Sequence, residues 1–191
     1  APDVHLCWRA GRLGRARRAV AGPDEEALNV LETHGAYRQQ AAFYRGALLL
    51  GLIRGDRVIA WADRALEDDA AAPAELIEIA TTPPDDLTLL RERLLRLAPE
   101  REPPEVVGAL LGFIHDDLAS ARRTFADTMT VLRQLRAFMK IDRTLNEKLK
   151  ELGVDIALTA PGSVERTAAE QRVREWLAVY EEAGRPFRLP A

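Results

Sequence analysis

The stretch AYRQQAAFYRGALLLGLIRGD, residues 36–56, decides the fold. Tyr37, Ala41, Tyr44, Leu48 and Ile53 recur at helical spacing, and from Ala47 to Ile53 the chain is apolar nearly all round, as in a helix enclosed on every side. The pattern predicts a helix over about 36–54 at the centre of a helical bundle. Gly55 reads as its left-handed terminator and Asp56 as the cap of the next helix, RVIAWADRAL, in which Ile59, Ala62 and Leu66 share a face flanked by Trp61.

Working toward the N-terminus, AGPDEEALNVLETHG predicts a separate helix. Pro23 lies in its first turn, acids at 24–26 favour the positive end of the dipole, and Gly35 stops it. Residues 1–22 form a basic arm in which Arg9, Arg12, Arg15, Arg17 and Arg18 stand against one acid, Asp3, and Gly11 and Gly14 break the helical period.

Toward the C-terminus, DDAAAPAEL leads into a short helix over 74–80. TTPPDDLTLLRERLLRL opens another, with its proline pair in the first turn and a stripe of Leu87, Leu90, Leu94 and Leu97. A further helix starting at proline carries Val107, Leu111, Ile114 and Leu118. Thr124 caps a third, with Phe125, Met129, Leu132 and Met139 inward. A stripe of Ile141, Leu145, Leu149 and Leu152 is expected to end at Gly153. VDIALTAPG, 154–162, has extended character. Ser163 then caps the last long helix, which turns Ala169, Val173, Trp176 and Tyr180 inward and carries the pairs Arg166–Glu170 and Glu170–Arg174 on its wet side. The fold class is therefore all-α, an irregular multi-helix bundle of about eight helices, with a stacked helical-repeat array as the alternative. One helical domain is expected over 23–184, followed by a tail over 185–191. GALLLGLI at 46–53 and GALLGFI at 108–114 echo one another, as a duplicated hairpin would.

Bulk properties narrow the function. A net charge of −3 argues against a protein built mainly to grip phosphate backbones. Of the 27 basic residues only Lys140, Lys148 and Lys150 are lysines, so the arginine richness is a bias of the whole chain. Cys7 is the only cysteine, which allows no internal disulfide or thiolate cluster and fits the cytoplasm. The apolar run at 46–53 is far short of the roughly 20 residues a membrane span needs, so no membrane partner is expected. No glycine-rich phosphate loop occurs, and no cofactor is expected. Ser163 is explained as a cap, and neither it nor Ser120 lies in a strand–turn–helix elbow. Acids near Asp85, Asp86 and Glu92, and at Glu100, Glu102 and Glu105, sit at helix starts and in turns, where they favour the dipole.

One stretch invites chemistry. LLGFIHDDLA, 110–119, holds one of three histidines beside two aspartates. The His115–Asp116 pair resembles that of all-helical metal phosphohydrolases, and the resemblance implies a divalent ion held by His34, His115, Asp116 and Asp127 or Asp142. One dipeptide assigns no family, and the plainer expectation makes His115 a half-buried helix shoulder. Arg9, Arg12, Arg15 and Arg18 are the candidate interaction residues. They suit a phosphate backbone. They suit equally the segment 56–105, where 13 acids face 6 bases, a net of −7. The sequence is read as a non-enzymatic helical interaction module, an adaptor, regulator or neutralising partner that engages a protein or a second copy of itself. A metal-dependent hydrolase and a nucleic-acid binder are the alternatives.

Overall fold

A computed structural model of the chain describes residues 23–99 and 103–187, with side chains from residue 34 onward in the first helix. All regular structure among these residues is helical: nine α-helices and a closing 3-10 turn.

The first helix, α1, runs unbroken from Pro23 to Leu49, through the expected stop at Gly35. A glycine ends a helix only where its backbone turns left-handed and the orphan carbonyls find donors. Gly35 meets neither condition; it is exposed, and the turns around it are pinned from outside. His34 Nε2 lies 3.2 Å from the Ala71 carbonyl, and the Tyr37 hydroxyl donates to Asp69 at 3.2 Å. The true terminator is Gly51, at φ +62°. The Leu52 amide bonds the Ala47 carbonyl at 2.8 Å and the Gly51 amide bonds that of Leu48 at 3.2 Å, the paired closure of a Schellman turn. Gly55 has a different task. It is the buried first residue of α2 (Gly55–Asp68), and a methyl group there would overlap the Pro84 carbonyl. Asp56 does not cap α2; it lies in the first turn, 3.4 Å from Arg54.

After α2 and the short α3 (Glu75–Ala80), the proline pair 83–84 shapes the turn before α4 (Leu87–Leu97) rather than its first turn. Asp86 caps α4 by accepting from the Leu89 amide at 3.0 Å. Leu90, Leu94 and Leu97 are buried as the stripe predicts, while Leu87 stays exposed. Pro104 opens α5 (Pro104–Ala119). Thr124 caps α6 (Phe125–Phe138) at 3.1 Å, and Asp142 caps α7 (Arg143–Ala157) at 2.9 Å. α7 passes through Gly153 and absorbs the first four residues of the segment expected to be extended. Ile156 continues the buried stripe of Leu149 and Leu152, so packing overrides the β-preference of Val154 and Ile156. The last carbonyls of α7 find side-chain donors: Arg166 bonds that of Ile156 at 2.7 Å and the Thr159 hydroxyl bonds it at 3.1 Å. Ser163 caps α8 (Val164–Ala178) at 3.0 Å. α9 (Glu181–Gly184) and the 3-10 turn Arg185–Phe187 follow.

The hub is α5 rather than the end of α1. It packs against α1, α6, α8 and α9, with Leu110, Leu111 and Ile114 fully enclosed. Contacts between helices so far apart in the chain make this a bundle, because a solenoid repeat touches only its neighbours. Gly112 lets the α9 backbone lie directly on α5: a methyl group there would overlap the Tyr180 carbonyl and come within 2.8 Å of the Gly184 nitrogen. The echoing runs occupy unlike places, one ending α1 and the other lying inside α5. Phe43 ties the layers together. It meets Phe113 edge-on at 5.0 Å and stacks on Phe187 at 4.5 Å, so the core reaches past the expected boundary at residue 184.

Candidate functional site

His115, Asp116 and Asp117 end α5, where the dipole is negative and two carboxylates are unfavourable unless cations answer them. Arg122 reaches Asp117 at 3.2 Å and Arg123 reaches it at 3.5 Å. Arg123 also donates to the Gly51 carbonyl at 3.2 Å, so the α5–α6 turn, bent through Ala121 at φ +55°, holds the Schellman turn that closes α1. This clamp was absent from the sequence reading. Its signal was nonetheless present: two acids at a helix C-terminus followed by a basic doublet.

His115 keeps only 17% of its side chain exposed, deeper than the half-buried shoulder expected of it. Its Nδ1 is 3.7 Å from the Asp116 carboxylate and has no hydrogen-bond partner. The other residues of the metal alternative are occupied elsewhere. His34 lies against the Ala71 carbonyl, Asp127 closes a reciprocal cap with Thr124, and Asp142 caps α7. Among the described residues no group of three or more histidine, cysteine or acidic side chains is placed to hold a metal ion. Arg9, Arg12, Arg15 and Arg18 lie outside the described residues.

Two clefts of about 400 Å³ open on the surface. One lies between α5 and α7, over Leu111 and Leu145, with Lys140, Asp142 and Tyr180 at its edge. Burial, and then the Asp142 carboxylate, push the Tyr180 hydroxyl above its ordinary pKa. The other lies where α1 ends and α2 begins. Tyr44, Leu52, Ile53, Phe113 and Phe187 supply apolar surface, and Arg54, Arg57 and Arg122 stand around it with Asp56 and Asp117. Tyr44 is held from below by Trp61, 4.7 Å away, whose ring nitrogen donates to Gln40 at 2.8 Å. Burial raises the Tyr44 pKa to about 12, against the opposing pull of Arg57 and Arg64.

The net −7 segment also takes shape. Asp63, Glu67 and Asp68 are exposed along the second half of α2, and Glu75 is exposed at the start of α3. α2 has no basic residue in its last turn, so Glu67 and Asp68 face the negative end of their own helix. None of these four acids has an ion-pair partner among the described residues. Glu78, by contrast, is paired to Arg96 at 2.9 Å.

Compared with known proteins, the chain matches no family model, no curated protein and no solved structure. Among the described residues no helix is long and apolar enough to cross a membrane.

Proposed function

We propose that the protein is a helical protein-interaction module that receives a basic segment on the acidic face of α2 and α3. It would act in the cytoplasm, where a single unpaired cysteine is ordinary. The observation that carries this reading is the set of four exposed acids, Asp63, Glu67, Asp68 and Glu75, two of them set against their own helix dipole. A cation arriving there gains from both the acids and the helix end.

The arm residues Arg9, Arg12, Arg15 and Arg18, from this chain or a second copy, are the basic segment we favour. Chain length permits it. Eleven helical residues, about 17 Å, separate Pro23 from His34, which touches the turn after α2. The five residues from Arg18 to Pro23 span up to about 17 Å when extended, and the fourteen from Arg9 about 46 Å.

Deleting residues 1–20 tests the reading. Melting temperature or mass by light scattering changes at low salt, and the difference shrinks near 0.5 M, where the Debye length falls below about 5 Å. Glu67→Lys with Asp68→Lys reproduces the effect in the full chain. Tight, salt-dependent binding to nucleic acid that vanishes on deletion, with mass and melting temperature unmoved, overturns it and makes the arm itself the binding surface.

A further inference from the structure

The cleft at the opposite end of α2 carries a different chemistry. Its surface is aromatic and aliphatic, and its lip holds three guanidinium groups against two carboxylates. Both carboxylates are already engaged: Asp56 with Arg54 at 3.4 Å, and Asp117 with Arg122 at 3.2 Å and Arg123 at 3.5 Å. Arg57 is exposed and has no ion-pair partner among the described residues. The lip is thus one anion short, beside apolar surface that a ligand could cover. The wall formed by Gly51–Arg54 is fixed in place, because the Schellman bonds set its backbone and Arg123 holds the Gly51 carbonyl.

We propose that this cleft docks a partner-protein segment presenting one or two large apolar side chains beside a carboxylate. The apolar side chains would cover Leu52, Ile53 and Phe113, and the carboxylate would pair with Arg57. Charge complementarity selects this occupant. A nucleic-acid backbone brings a phosphate at every step and would meet Asp56 and Asp117, whereas one carboxylate matches the single unanswered guanidinium. The volume is near the lower end of ligand pockets, which span about 300–1,000 Å³, and suits a few side chains. This goes beyond the basic-segment reading. The two sites take opposite charges and lie at opposite ends of α2, with about 17 Å of helix between Asp56 and Glu67.

The test uses a fluorescein-labelled twelve-residue peptide with Asp-Leu-Phe-Asp at its centre and glycine and serine flanks. Its controls are an Asn-Leu-Phe-Asn version and an Asp-Ala-Ala-Asp version. Anisotropy gives affinity, and amide shifts in the ¹⁵N-labelled full chain locate the site. The acidic apolar peptide shifts Leu52, Ile53, Phe113 and Phe187, and each control binds about tenfold or more weakly. Arg57→Glu weakens the first peptide by a similar factor with the melting temperature held, since Arg57 is exposed. Arg57→Lys keeps much of the affinity. Equal binding of the Asn version, indifference to Arg57→Glu, or shifts confined to other residues overturns the proposal. So does a cleft that responds to decanoate but to none of the peptides, which would make it a site for small apolar anions. Deleting residues 1–20 leaves peptide affinity unchanged, so this test and that of the acidic face fail or succeed separately.

Discussion

Replacing Gly112 with alanine tests the packing of α9 on α5. Glycine inside a helix normally costs about 1 kcal/mol against alanine, so propensity alone predicts a more stable protein. The structure predicts the reverse. The new methyl would overlap the Tyr180 carbonyl and crowd the Gly184 nitrogen at 2.8 Å, and both obstacles are backbone, which cannot swing aside. α9 must retreat by roughly 1 Å, and a gap of that size forfeits about a quarter to a half of the dispersion energy of every contact it opens. Overpacking costs about 1–3 kcal/mol, and rigid backbone on both sides places this site near the top of that range. Subtracting the helix gain leaves a net loss of about 2 kcal/mol, or roughly 4–8 °C in a domain of this size. Urea denaturation at constant m-value and thermal melts measure it. Gly153→Ala is the control: it lies inside α7 with nothing within 4 Å of the added methyl, and should gain up to about 1 kcal/mol. A Gly112→Ala protein that gains stability alongside the control would refute the close approach of α9 to α5.

Two further outcomes follow from burial. Leu50 is 3% exposed at the end of α1, so Leu50→Asp buries a carboxylate at a cost of several kcal/mol and abolishes the cooperative thermal transition; an unchanged transition would place this helix end outside the core. Tyr44 carries a folded-state pKa raised from 10 to about 12, so its contribution is whole below pH 10 and is lost as pH rises from about 10 to 12. That loss is on the order of 2 kcal/mol, and Tyr44→Phe should make the alkaline fall in stability shallower; the same slope in both proteins would show that the hydroxyl is not held back from ionising.

Helix-forming periodicity and side-chain caps were legible in the sequence because they are local. Thr124 and Ser163 cap the helices expected of them, and the stripes through Leu94, Ile114 and Leu132 are buried. Glycine was misread where its role depends on distant atoms. Nothing in the residues around Gly35, Gly55 and Gly153 tells that the first and last sit within continuous helices, or that Pro84 lies against the second. The stripe through Leu149 and Leu152 was legible, but Gly153 and the β-preference of Val154 and Ile156 hid its continuation to the buried Ile156. Arg174 was expected to pair with Glu170 on the wet side of α8; its guanidinium instead lies 5.4 Å from the centre of the Phe125 ring, a contact across some fifty residues that no spacing announces. The clefts are harder still. Arg57, Arg122 and Phe187 belong to three separate segments, and only the finished bundle brings them to one opening.

The stack of Phe187 on Phe43 has a consequence for synthesis. Phe187 leaves the ribosome 144 residues after the Phe43 ring it stacks on. At about 5–20 residues per second that interval lasts roughly 7–30 s. Throughout it the face of Phe43 that Phe187 will cover has no partner from that ring, although Phe113, 70 residues after Phe43, can already pack edge-on against it. A chain cut short before Phe187 would leave that face of Phe43 without its cover for good.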